Sequence, residues 1–143
     1  KPPNQGLWNG VGGKIQAGET PLLACLREVY EETGYSLQSL NFGGLLTWKG
    51  FEIPPGGIYL FFGEVPEYRL ERCSEGELAW KPRSWVFSAS EVVSNIHVFL
   101  PIMLNGGQAQ QFHFVYEDGI IQSYRIGNLP AWELDSISGG KRI

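Results

Sequence analysis

Glu28, Glu31 and Glu32 stand at i, i+3 and i+4, a spacing that brings three carboxylates onto one face of a helix. Like charges so placed cost ~0.2–0.5 kcal/mol per pair. Near the end of a helix they also oppose its dipole, by ~0.3–1 kcal/mol. Helix stability therefore gives no reason for the triplet. A divalent cation does, because it converts repulsion into shared coordination. Carboxylate oxygens with no Cys or His among them select a hard ion, Mg2+ first and Mn2+ as the alternative. The plain competing reading is a solvated acidic surface.

The elements that must position these acids follow from the flanking residues. Thr20 as N-cap, Pro21 at the first helical position and Gly34 as the stop predict a helix over Pro21–Thr33. Leu22, Leu23, Leu26, Val29 and Tyr30 lie opposite the acids and form an apolar stripe to pack on a sheet. Ala24 and Cys25, one turn back on the acidic side, are small and leave space there. Ahead of the helix, Trp8-Asn9-Gly10-Val11-Gly12-Gly13-Lys14 is a loop whose glycines permit close approach to the backbone. It matches neither the P-loop nor the dinucleotide fingerprint.

Downstream, strands are expected at Leu45–Trp48, at Gly57–Val65 with a buried run Ile58–Phe62, and at Arg83–Phe87. Ser90 opens a short helical pattern, and His97–Leu104 reads as a helix stopped by Asn105-Gly106. Phe112–Tyr116 and Ile120–Ile126 form a hairpin about Asp118-Gly119. The organisation is one α+β domain, 1–143, built around a sheet.

Composition narrows the partners. A chain of 143 residues with 43% hydrophobic and 18% charged residues can bury a core, which excludes wholesale disorder. The net charge is −4 and the 11 Lys and Arg are dispersed, so no footprint for a nucleic-acid polymer or an anionic membrane is expected. No apolar run approaches the ~18–20 residues of a membrane span, and no signal region opens the chain. Cys25 and Cys73 read as reduced thiols, which points to the cytoplasm. His97 and His113 fall in no ligand pattern and read as ordinary core or surface histidines. Trp48, Phe51, Phe61 and Phe62 read as core or pocket wall.

Loop and helix together spell Gly13-x5-Glu19-x7-Arg27-Glu28-Val29-x-Glu31-Glu32-x-Gly34, which resembles the signature of the Nudix hydrolases. One position departs, Tyr35, where that family prefers an aliphatic residue. The resemblance implies an α/β/α sandwich with a mixed sheet and a strand before the glycine-rich loop. That strand would precede Lys1, so N-terminal residues are expected to be missing. It also implies that Glu28, Glu31, Glu32 and the Gly12 carbonyl hold metal, that Arg27 orients the carboxylates, and that Gly13, Glu19 and Gly34 are structural.

Within the family the likeness is to the MutT-type, oxidised-purine nucleoside triphosphatase branch. There Trp8, Asn9 and Lys14 match a substrate-binding stretch, with Asn9 on the base. Glu75, five residues before Trp80, matches an acid that reaches the metals, and Glu77 has the spacing to compete. Alignment on Pro101 puts Asn95 near a base-recognition position. The expected activity is Mg2+-dependent hydrolysis of a nucleoside triphosphate, such as 8-oxo-dGTP, to the monophosphate and pyrophosphate. Glu28 or Glu75 would be the general base, in a monomer or homodimer. ADP-ribose or a dinucleotide is the alternative substrate, and a non-catalytic ligand sensor is the alternative class.

Overall fold

Three end signals converge on helix α1, Pro21–Thr33. Thr20 Oγ1 accepts from the Leu23 amide at 3.1 Å, satisfying a first-turn donor. Pro21 fixes the entry, and Gly34 ends the helix at φ 84°, its amide donating to Tyr30 O at 2.9 Å. The structure, a computed structural model of the chain, describes residues 6–50, 56–68 and 77–130. The chain divides into two compact units: Lys1–Asn9 with Gly43–Leu60 and Lys81–Leu129, and Gly10–Phe42 with Phe61–Trp80 and Pro130–Ile143.

In the unit that carries α1, the apolar stripe is narrower than its pattern. Leu22, Leu26 and Val29 are half-buried, but Leu23 and Tyr30 are 53% and 59% exposed. Ala24 is the buried residue of the helix, and Cys25 beside it is half-buried. Tyr35 is buried too. Its hydroxyl donates to Glu67 O at 2.6 Å and its ring meets Trp80 edge-on at 6.2 Å, which explains how an aromatic serves where an aliphatic was expected.

A four-stranded mixed sheet runs in the order β2-β1-β3-β4, giving the expected α+β class. β1 (Asn41–Lys49) is parallel to β3 (Gln110–Glu117), and β3 is antiparallel to β4 (Ile120–Gly127). The hairpin forms as predicted: Asp118 and Gly119 take φ 54° and 76°, the left-handed pair of a two-residue turn. β3 alternates, with Phe112, Phe114 and Tyr116 buried and Gln111 and His113 on the other side. Helix α3 (Ile96–Leu104) packs Phe99 against Phe112, ring centres 5.9 Å apart.

Four expectations are corrected. β1 starts four residues earlier than expected, at Asn41, because the strand runs on through Gly43-Gly44, a place of close approach. A Cβ on Gly43 would strike the Met103 side chain, and one on Gly44 the Gln110 backbone and Phe112 ring. β2 (Gly56–Phe62) stops short of Val65 and lies at the sheet edge, leaving Ile58 47% exposed, not buried. Arg83–Ser88 is helix α2, not a strand: Pro82 O accepts from the Trp85 and Val86 amides at 3.1 Å, and this start outweighs the strand-like Trp-Val-Phe composition. No helix forms from Ser90. Trp8 captures that backbone instead, its N–H donating to Glu91 O at 2.8 Å and its C=O accepting from the Val93 amide at 3.0 Å. No helix among the described residues is long and apolar enough to cross a membrane.

Candidate active site

Arg27 organises the acidic face of α1. Its Nε and Nη2 donate to the two oxygens of Glu19 at 2.6 and 3.0 Å, a two-pronged pairing suited to a planar guanidinium. Nη1 donates to Glu28 Oε2 at 3.0 Å and to Glu31 Oε1 at 3.3 Å. Nη2 also donates to the Lys14 carbonyl at 3.0 Å, tying the end of the glycine-rich loop to the helix. The local sequence permits this because Glu28 neighbours Arg27 and Glu31 lies one turn on, while Glu19 sits just before the N-cap. Glu19 Oε1 additionally accepts from the Gln16 amide at 2.8 Å. The Arg27 bonds, helped by that amide, hold the Glu19 carboxyl below its usual range. Glu19 and then Glu28 push Arg27 further toward its charged form.

One arginine does not neutralise the segment. Residues 10–34 hold two bases, Lys14 and Arg27, against four acids, Glu19, Glu28, Glu31 and Glu32. Gly13 lies directly under the Glu28 carboxylate, where any Cβ would collide with it. Gly12 is exposed, with open space where a Cβ would stand. One oxygen of half-buried Glu32 is sequestered from solvent. These are hard oxygen donors in an acidic setting, a chemistry that fits a divalent cation. Among the described residues, no three His, Cys, Asp or Glu side chains converge as a ready-made metal group. Glu28 and Glu31 are turned toward Arg27 instead. Cys25 is a free thiol on the same helix, its pKa raised by burial and then by Glu28.

The other expected site residues belong to the sheet-bearing unit or lie in the loop. Trp8 is half-buried, and Asn9 and Lys14 are exposed. Asn95 Nδ2 donates to the Tyr116 hydroxyl at 3.2 Å. Burial raises the Tyr116 pKa, and the bond from Asn95 lowers it in part. Tyr116 went unnoticed in the sequence. Its signal was a phenol in the register of Phe112 and Phe114, a polar atom on an otherwise apolar face. His97 Nε2 lies 2.9 Å from Ala89 O and His113 Nδ1 2.7 Å from Thr47 Oγ1, so both are satisfied structural histidines. Phe61 packs on Phe42 at 5.5 Å, and Glu77 is exposed. Glu75, Phe51 and Cys73 lie outside the described residues.

A family model described as the NUDIX domain matches residues 1–102. The chain belongs to the Nudix family of hydrolases. The Bacillus halodurans mutator MutT protein superposes with a TM-score of 0.66 at 27% identity, over 87% of this chain and 85% of that one. An RNA pyrophosphohydrolase of Brucella ovis is 36% identical over 53% of this chain and 46% of its own length. The Danio rerio oxidized purine nucleoside triphosphate hydrolase is 50% identical over 25% of this chain and 23% of its own. The Haemophilus influenzae NAD-capped RNA hydrolase NudC is 41% identical over 32% and 17%. The Nudix chain thus spans less than half the length of these curated relatives. Nudix hydrolases generally use divalent cations and act on nucleotide substrates.

Proposed function

We propose that this Nudix chain hydrolyses a nucleoside triphosphate to a nucleoside monophosphate and pyrophosphate, with Mg2+ as its cation and Mn2+ as a substitute. The observation that carries the reading is the Arg27 network, in which one guanidinium serves Glu19, Glu28 and Glu31 and still leaves the segment net negative. Neither helix propensity nor packing asks for that cluster. Glu28, Glu31, Glu32, Glu75 and the Gly12 carbonyl would hold the cation. Glu31 rests on a single 3.3 Å contact with its side chain 54% exposed, so redirecting its carboxylate costs little. When bound, the cation neutralises phosphate oxygens and lowers the pKa of water.

The chain's own residues do the rest. Arg27, anchored by Glu19, keeps the Glu28 carboxylate over Gly13, and Glu28 or Glu75 accepts the proton of the attacking water on a carboxylate oxygen. Lys14 serves the substrate through its charge, Trp8 through its ring, and Asn9 and Asn95 through amides that can read a base edge. Relatives are named for an oxidised purine nucleoside triphosphate, RNA pyrophosphate and NAD-capped RNA, and a phosphate anhydride is what those names share. Dispersed basic residues favour a free nucleotide over a polymer, and an oxidised purine such as 8-oxo-dGTP is the first choice. Cysteines read as reduced thiols support a cytoplasmic setting, with the chain acting as a monomer or homodimer.

The test is hydrolysis with Mg2+ in ¹⁸O-labelled water over a panel of ordinary nucleoside triphosphates, 8-oxo-dGTP, ADP-ribose, a dinucleoside polyphosphate and 5′-triphosphorylated RNA. Pyrophosphate release from a free triphosphate is expected. Turnover of ADP-ribose or the dinucleotide alone would move the substrate class. Tight binding with no turnover anywhere would leave a ligand sensor.

A further inference from the structure

We propose that Lys81 is a positioning residue for the glycine-rich loop, holding its entry residue Trp8 through a cation–π clamp shared with Trp85; the consequence for turnover rests on the hydrolase reading above. The Lys81 Nζ stands 4.7 Å from the ring centre of Trp8 and 4.7 Å from that of Trp85. The two indoles are 6.5 Å apart at an interplanar angle of 82°, so the ammonium sits in the corner between them. Among the described residues Lys81 makes no ion pair, which leaves the rings as its counterpart.

The same residue is pinned along its backbone. Trp8 exchanges hydrogen bonds with Glu91 and Val93, around Val92, and both valines are buried. Lys14, at the far end of the loop, is tied by its carbonyl to Arg27. Between the two anchors run Asn9, Gly10, Val11, Gly12 and Gly13, all exposed and three of them glycine, with little conformational preference of their own. The course of such a segment is set by where its ends are held. Gly13 lies under the Glu28 carboxylate, and the glycine-rich stretch that carries it begins directly after Trp8.

The experiment is amide hydrogen exchange on the whole chain, comparing wild type with K81M, which keeps an apolar stem and removes the charge. K81R, which keeps the charge, is the rescue variant. Two ring contacts at a partly exposed site predict exchange of the hydrogen-bonded Trp8 and Val93 amides faster by roughly three- to tenfold in K81M. K81R should restore it, and exchange in β3 should not change. KM for the nucleotide should rise by a similar factor, with kcat within about twofold. If K81M fails to fold, W85F should give a smaller change in the same direction. Unchanged exchange at the Trp8 and Val93 amides, or an increase spread equally over β3, overturns the inference. Absence of any turnover by wild type would sink the hydrolase reading alone, because exchange still decides the clamp.

Discussion

Helix α1 and the β3–β4 hairpin are built on opposite logics. The hairpin is explained by folding: alternate residues Phe112 and Phe114 are all but fully buried, and Asp118-Gly119 supplies the turn that joins its strands. Helix α1 is well capped, yet it leaves Leu23 and Tyr30 in water and gathers acids where its dipole disfavours them. The lesson is that residues of β3 answer to stability, whereas the acidic face of α1 is not accounted for by it.

Substitutions can break or sharpen that contrast. The largest effect is expected at Phe114→Ala, which should cost about 3–5 kcal/mol of stability by chemical denaturation while the folded fraction keeps its kcat. The mirror image is Glu28→Gln, which should lower kcat by on the order of 10²–10³-fold with the melting temperature nearly unchanged. Matching losses of stability and rate in both variants would erase the distinction.

Two smaller effects concern pH. The Glu19 carboxyl titrates below 4.5 in the folded chain because Arg27 and the Gln16 amide favour its charged form. Its stabilisation is therefore present above about pH 4.5 and is lost as pH falls through the lowered native value. Glu19→Gln should flatten that acid limb in denaturation curves. His113 titrates below 6.5 when folded, because of burial first and then Arg125 and Lys49. The unfolded chain binds the proton more readily, so stability should decline slightly as pH falls below about 6.5. His113→Gln should remove this slope, and an unaltered slope would assign it elsewhere.

Much of this was legible in the sequence because it rests on short-range rules. Thr20, Pro21 and Gly34 bound α1 at the predicted residues, and Asp-Gly fixed the hairpin. Arg27 and Glu19, eight residues apart, are paired by about two turns of helix and a cap. What stayed hidden depends on distant partners. Nothing local carries β1 back over Gly43-Gly44 until Met103 and Phe112 are seen against it, and the helical pattern opening at Ser90 stands until Trp8 claims that backbone. Tyr116 beside Asn95, and Lys81 between two indoles, are likewise products of tertiary packing that no spacing announces.

The central claim is that the acids of α1 are gathered for a divalent cation, and calorimetric titration of the chain with Mg2+ and Mn2+, alone and with nucleotide, tests it most directly. The account predicts uptake by wild type that weakens at least tenfold in Glu28→Gln. Equal heats for the two proteins, or no uptake by either in the presence of nucleotide, would contradict it.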